Sequence, residues 1–302
     1  MTLRYDDIGN RLKAYRMGSG LSADEIAKQL GISRTALYRF EKGELAKIET
    51  LERLAELLGV SIPTLLGVGI EYIPSAVGYF ERLRQIEETA EHIVVLSGPI
   101  SFLLGSENFL PTLQDVLTEN IGSTIENQAQ ALSDIKQIIE ILRQRKELYR
   151  RRRPTIVNMM SALEIERFLH HGFIGRAGLP EAEMRRRKQL ARTEIQHFAS
   201  LVDQHPIGVQ VGIVTDTLPF TGFQLFRQPD RKLLVLSPFR LGSEPNVRVG
   251  VATITSAPDA VNLHEKSIDE MWRRALKGQA AADYLRQLLA NDSTSDDSKK
   301  KK

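Results

Sequence analysis

Residues 11–67 read RLKAYRMGSGLSADEIAKQLGISRTALYRFEKGELAKIETLERLAELLGVSIPTLLG, and how they fold decides how the rest of the chain is read. Four short amphipathic helices follow one another here with almost no loop between them. Leu12 and Tyr15 fall on the apolar face of the first. Ser22 opens the second as an N-cap, and Glu25, three residues on, completes a capping box. Ile26, Ala27 and Leu30 turn inward at helical spacing. Gly31 can take the left-handed backbone conformation that stops a helix without steric cost. Ile32 plugs the turn, and Ser33 caps a third helix that runs to Gly43.

Two helices joined by a tight glycine-containing turn form a helix-turn-helix, whose second member enters the DNA major groove. The stretch resembles the DNA-binding domain of the XRE (Cro/C1-type, phage-repressor-like) family. That family's skeleton is matched by Ile26-Ala27, Leu30-Gly31-Ile32-Ser33, Leu37, Glu41 and Gly43, and then by Leu51, Leu54, Ala55 and Leu58-Gly59-Val60. The match covers about a fifth of the chain. Two positions depart from the pattern. Ala23 stands where the family often has a phosphate-contacting Gln, and the loop after Gly43 lacks the usual proline. The bland alternative is a small helical bundle serving as a protein–protein adaptor, but Gly31 and Ser33 fall where the turn needs them.

The resemblance implies a set of DNA contacts. Leu37 and Phe40 must face the core of the head, which leaves Ser33, Arg34, Thr35, Tyr38 and Arg39 on the outer face of the third helix. Arg34 is the expected base reader, because a guanidinium pairs bidentately with guanine. Thr35 can touch a thymine methyl. Tyr38, Arg39 and Lys42 are expected at phosphates, which fix register without carrying sequence information. Ser22, at the start of the second helix, completes the DNA-contact set.

At 302 residues the chain has room for two domains. Its 42% hydrophobic and 26% charged content is that of an ordinary globular protein. With no cysteine, disulfides, thiolate zinc sites and cysteine catalysis are all excluded, which suits a reducing cytosol. No apolar run approaches the ~20 residues that span a bilayer. The opening MTLRYDDIGN has acids where a signal peptide needs an apolar core, so a cytoplasmic location is expected. The net charge of +3 is unevenly spread. Lys and Arg fall short of Asp and Glu by 6 to 12 over residues 70–147, then exceed them by 11 to 4 over residues 148–192. In the head, Arg34, Arg39, Lys42 and Lys47 cluster around the third helix, where placement matters more than the total.

Beyond the head (residues 1–67), Gly67, Gly69 and Pro74 mark a linker over 68–75. Helices are expected over 76–90, near 109–119, over 123–149 and over 181–203. Strands are expected at His92–Leu96 and within PTIVNMMSAL. From Pro206 four short runs rich in Val, Ile, Phe and Thr read as adjacent, largely antiparallel strands. SIDEMWRRALKG and AADYLRQLLA close the domain as helices, and the polar tail 291–302 is expected to be disordered. The expected architecture is an all-α head on an α/β or α+β domain over 76–290. Its strand–helix order resembles the phospholipase-D-like fold that serves as a sensor domain in some regulators. In the long helix, Ile125, Leu132, Ile135, Ile139, Leu142 and Tyr149 form a narrow seam. Two readings are open for it, a homodimer helix or a core helix packed on its own sheet.

Candidate chemistry is sparse. His264-Glu265-Lys266 resembles half of the phospholipase D motif H-x-K-x4-D, but Met271 occupies the Asp position, Asp269 lies nearby, and a second copy is missing. The alternative is a surface turn ahead of the SIDEMW helix. His170-His171 sets no metal spacing with Glu164 and Glu166, and Asp216 is an isolated acid. No phosphate-cradling loop and no nucleophile elbow is present. Neither a cofactor nor a metal is expected. The basic segment 148–192 reads as a second DNA contact, as the wall of an anion pocket, or as a face balanced by the acidic stretch before it. The expectation is a non-enzymatic regulator that binds a double-stranded DNA operator as a homodimer and senses a small-molecule effector. The alternatives are a DNA-tethered phosphodiesterase using His264 and Lys266, or a body that only dimerises the heads.

Overall fold

A computed structural model of the chain describes residues 4–44, 46–96, 98–121, 127–176, 178–216 and 222–299, with only the backbone described over 293–299. The head is built from α1 (Tyr5–Gly18), α2 (Ala23–Leu30), α3 (Arg34–Glu41), α4 (Ile48–Leu57) and α5 (Ile62–Leu66). Leu12, Ile26, Leu37, Leu54 and Leu65, one from each helix, are almost completely buried at its centre.

The remainder is a mixed sheet in the order β1-β7-β6-β5-β2-β3-β4-β8. Its strands are β1 (Ile70–Ile73), β2 (His92–Leu96), β3 (Thr155–Ser161), β4 (Val209–Val214), β5 (Phe223–Arg227), β6 (Lys232–Leu236), β7 (Ala252–Thr255) and β8 (Leu276–Lys277). Strands β2, β3 and β4 are parallel, and the other pairings are antiparallel. Parallel neighbours need long crossovers. These are supplied by α7 (Phe109–Glu119) with α8 (Gln128–Arg152), and by α9 (Ala162–His171) with α10 (Glu181–Gln204). The central strands are covered on both faces, so they read as nearly unbroken apolar runs. One face, carrying Ile93, Val95, Ile156, Met160 and Ile254, packs under the helices α6 (Ala76–Glu87), α8, α9, α10 and α12 (Gly278–Lys299), in a core continuous with that of the head. The other face, carrying Val94, Met159, Leu225 and Leu234, is covered by α11 (Pro258–Arg274) alone.

The structure corrects several expectations. The stretch 68–75 is not a loose linker, because its centre is β1, an edge strand paired with β7 from Ile70↔Thr255 to Ile73↔Ala252. Gly67, Gly69 and Pro74 punctuate the chain on either side of that strand and mask its alternation. Strand β4 does not join the antiparallel set but lies parallel to β3. Helix α8 is a core helix. Ile135, Ile138, Ile139 and Leu142 are buried within the chain's own core, Leu132 is exposed, and Ile125 lies outside the described residues. His264-Glu265-Lys266 is not a turn, since α11 begins at Pro258, a residue suited to the first turn of a helix. The tail from Asn291, expected to be without regular structure, continues α12 to Lys299, because adding residues to a packed, already nucleated helix costs little. Lys300 to Lys302 lie outside the described residues. Part of the basic segment faces acids. Arg150 pairs with Glu107, Arg187 lies 2.6 Å from Glu119 and Arg186 lies 3.9 Å from Asp115, so three of its arginines meet acids of the preceding stretch. Among the described residues no helix is long and apolar enough to cross a membrane.

Candidate nucleic-acid interface

The local chemistry of the α2–α3 unit is satisfied as its sequence requires. Ser22 Oγ accepts from the Glu25 amide at 3.2 Å, and the Glu25 carboxylate accepts from the Ser22 amide at 2.7 Å. These two bonds close the capping box and hold the Glu25 carboxyl below its ordinary range. Gly31 has φ +68°, and its N–H turns back onto the carbonyls of Ala27 and Lys28. Ser33 Oγ then accepts from the Ala36 amide at 3.1 Å and starts α3. Ala23, the departure from the family's Gln, is buried, so at this position the chain keeps a core contact in place of a polar one.

The outer face of α3 carries Arg34, Thr35 and Arg39, all exposed, with Ser33 exposed at its start and Lys42 at its end. Arg34 is held by its neighbours. Its Nε donates to Tyr38 Oη at 3.1 Å, its Nη1 donates to Asp24 at 3.2 Å, and its guanidinium lies 5.3 Å from the Tyr38 ring centroid. The bond to Tyr38 and the charge of Asp24 raise the Arg34 pKa further. Arg39 pairs with Glu44 at 3.2 Å. Tyr38 is half-buried and packs against the core, so it faces less outward than the sequence implies. Ser22 and Ser33 each accept a backbone N–H at a helix start, which fixes the helices and leaves the hydroxyl proton able to donate.

The inner side of α3 is locked by contacts that sequence reasoning passed over. Arg16 of α1 makes two bonds to the buried Glu41 carboxylate, and its guanidinium lies 5.8 Å from the Tyr38 ring centroid. Gly9 of α1 lies against the end of α3 so closely that a Cβ would come 2.7 Å from the Phe40 carbonyl and 2.6 Å from that of Glu41. A charged residue at an inward helical position was the available signal. Glu41 stands four residues after Leu37, and Arg16 four residues after Leu12.

Helix α1 also anchors the head to the sheet domain. Glu71 of β1 accepts from Arg82 of α6 at 2.6 and 3.1 Å and from Arg11 of α1 at 3.1 Å, and all three side chains are buried. Burial alone would raise the Glu71 pKa, but the charges of Arg82 and Arg11 outweigh it and hold the carboxyl below its ordinary range. Tyr15 Oη donates to the Tyr72 carbonyl at 2.8 Å, and Lys13 lies 2.9 Å from Glu81. At the far end, Arg231 in the β5–β6 turn donates twice to Asp7, at 2.6 and 3.0 Å, and the neighbouring Asp230 pairs with Arg4. The head is thus held at a fixed orientation.

The other candidate residues do not assemble into a site. His264 Nδ1 bonds the Ala260 carbonyl at 2.8 Å and its ring meets Phe223 edge-on, while Lys266 is exposed. Two residues apart on α11, they do not share a face. Asp216 pairs with Arg274, and His170 and His171 are exposed. Among the described residues no group of three or more His, Asp or Glu side chains converges as metal ligands.

Comparison with known proteins agrees with the geometry of the head. Residues 7–66 match the family described as a helix-turn-helix domain. A protein of Pyrobaculum aerophilum described as an HTH-type transcriptional regulatory protein is 38% identical over 55 residues, covering 18% of this chain and 22% of that one. The chain therefore spans about a fifth of the length of the curated relative it matches. Among solved structures, TrmBL2, described as an archaeal chromatin protein with a novel mode of DNA binding, aligns at 11% identity and a TM-score of 0.31. That alignment covers 84% of this chain and 66% of that one, and at this score no argument rests on it.

Proposed function

We propose that the chain is a sequence-specific, DNA-binding transcriptional regulator of the XRE type, and that α3 is its recognition helix. The observation that carries this reading is the capped helix–Gly31–helix unit, whose outer face bears Arg34, Thr35 and Arg39 while Arg16 and Glu41 lock its inner side. Arg34 reads a base, giving up its bond to the exposed Asp24 for two bonds to a guanine edge. Thr35 adds contact to a thymine methyl. Arg39 and Lys42 meet phosphates and set register, with Tyr38 as a backing plate for Arg34. Such a protein works where its DNA is, in the cytoplasm. The test is selection of duplexes from a random pool by the full chain, followed by titration of single-base variants at two salt concentrations. Arg34→Ala is expected to relax preference at one position. Lys42→Ala is expected to weaken all sequences alike and to flatten the salt dependence. A uniform loss on Arg34→Ala would remove its assigned role.

The operator-binding species is a homodimer, because one short head offers few base contacts and two impose a half-site spacing. Since α8 is spent on the chain's own core, the dimer contact lies elsewhere on the sheet domain. Sedimentation of the full chain at tens of micromolar tests this, and a monomer there would exclude it. The sheet domain acts as a sensor rather than a phosphodiesterase. His264 and Lys266 on different faces of α11 support that choice, and turnover of a phosphodiester substrate abolished by His264→Ala would reverse it.

A further inference from the structure

The sheet face that only α11 covers is left open at one end, where a cavity of about 360 Å³ lies between the strands and the helix. Its floor is Val94, Val157 and Leu225, and its helical wall is Ile268 and Trp272. The wall is fitted closely to the sheet. A Cβ on Gly212 of β4 would come 2.7 Å from the Trp272 ring, so only glycine lets the indole sit there.

The strand register places three basic side chains along the rim. Lys232 of β6 is opposite Arg227 of β5, and Arg227 is opposite His92 of β2, all three lining the same cavity. Arg227 and Lys232 are like charges directly opposite each other, which is destabilising on a sheet, so this pair calls for an anion. The protein supplies two acids of α11 to the lining, Glu265 and Asp269. Glu265 of α11 lies 2.7 Å from Lys232 but 3.8 Å from Arg227, too far for a hydrogen bond. Among the described residues Glu265 is the only acid paired with Arg227, whose side chain remains 56% exposed. His92 uses Nδ1 on Thr155 Oγ1 at 2.6 Å, and burial and Arg227 together hold its pKa below the ordinary value.

We propose that this cavity binds a small organic anion, a carboxylate or phosphate monoester on an apolar or aromatic body. Its charged group is taken by Arg227, and its body lies on the Val94–Val157–Leu225 floor against Trp272. The same site reaches the DNA-binding head by a short route. Arg227 ends β5 and Lys232 begins β6, and the turn between them carries Asp230 and Arg231, the residues that clamp Arg4 and Asp7 of the head. An anion that repositions Arg227 and Lys232 therefore acts on the turn that holds α1. If occupancy changes affinity for DNA, DNA changes affinity for the anion by the same factor. The regulatory half of the proposal rests on the chain being a DNA-binding regulator, whereas the binding half does not.

Trp272 is the single tryptophan of the chain, so its fluorescence reports the cavity directly. Titration of the full chain with benzoate, phenyl phosphate, inorganic phosphate and neutral benzamide is the first experiment. A saturable change with benzoate or phenyl phosphate is expected, and which of the two binds more tightly separates the carboxylate from the phosphate source. Inorganic phosphate and benzamide are each expected to bind at least about tenfold more weakly, as is the preferred anion to Arg227→Gln, since a charge-assisted bond is lost. No saturable change, an equal response to benzamide, or unaltered binding by Arg227→Gln overturns the site while leaving DNA recognition untouched. In the second experiment a saturating anion is expected to change the Kd for a selected duplex several-fold in the parent and not in Arg231→Met. The fluorescence titration of that variant shows that its cavity is intact. An unchanged Kd in the parent overturns the coupling and leaves the binding site standing.

Discussion

The protein uses the same ion pairs at two places to opposite effect. Along the seam between head and sheet, Arg11, Glu71 and Arg82 are buried together, and inside the head Arg16 closes on the buried Glu41. On the outer face of the head, Arg34 with Asp24 and Arg39 with Glu44 stand in solvent. Removing one partner of a buried pair strands a charge in a poor dielectric, whereas an exposed pair exchanges cheaply with water or with a phosphate. Burial therefore separates arginines that hold the molecule in shape from arginines available to a nucleic acid, and charge counting does not.

The sharpest break in this contrast is Glu71→Ala. It leaves two buried guanidiniums without their acid, and a loss of roughly 3–5 kcal/mol is expected in denaturant unfolding. A midpoint near that of the parent would mean that water reaches the seam. Acid probes the same cluster more gently. The pKa of Glu71 is depressed on folding, as are those of Asp7 and Glu81, held down by their arginine and lysine partners against the opposing effect of burial. Protons then bind the unfolded chain first as pH falls. The stability these acids contribute is full above the ordinary carboxylate values near 4 and is lost below them. Urea midpoints are expected to hold between pH 7 and about 5.5 and to drop below about pH 4.5. A flat profile to pH 3 would count against the cluster.

Smaller in effect is Gly31→Ala. Nothing lies within 4 Å of the added Cβ, so the cost is that of the left-handed backbone alone, roughly 1–2 kcal/mol. An unchanged melting temperature would show that the turn relaxes. The smallest stability effect belongs to Arg34→Ala, for which melting is expected to match the parent while preference at one operator position is relaxed. If melting fell as far as it does for Gly31→Ala, Arg34 would belong with the buried set.

What was legible in the sequence follows from range. The head announces itself locally, because Ser22, Glu25, Gly31 and Ser33 satisfy one another within a few residues and the structure shows each bond. The seam was hidden because Glu71 meets Arg11 across 60 positions, and an acid between Ile70 and Tyr72 gives no sign of its partner. The spacing of Ile135, Ile139 and Leu142 suited a dimer helix and a core helix equally, and only the position of α6 and α7 decides between them. The cavity was out of reach for the same reason. His92, Arg227 and Lys232 become neighbours through strand order, which no stretch of the chain spells out.

The placement of α1 bears on how such a protein can be recombined. One side of this helix completes the DNA-binding bundle, and the other is already half of a joint with β1 and α6. A recognition unit cut out at residue 66 and grafted elsewhere would carry Arg11 and Tyr15 without the acid and the carbonyl that receive them. It would also leave Arg82 and Glu71 behind without Arg11. On the proposed reading, transplanting operator preference is therefore a matter of exchanging the outer residues of α3 in place, since the head is not a cassette.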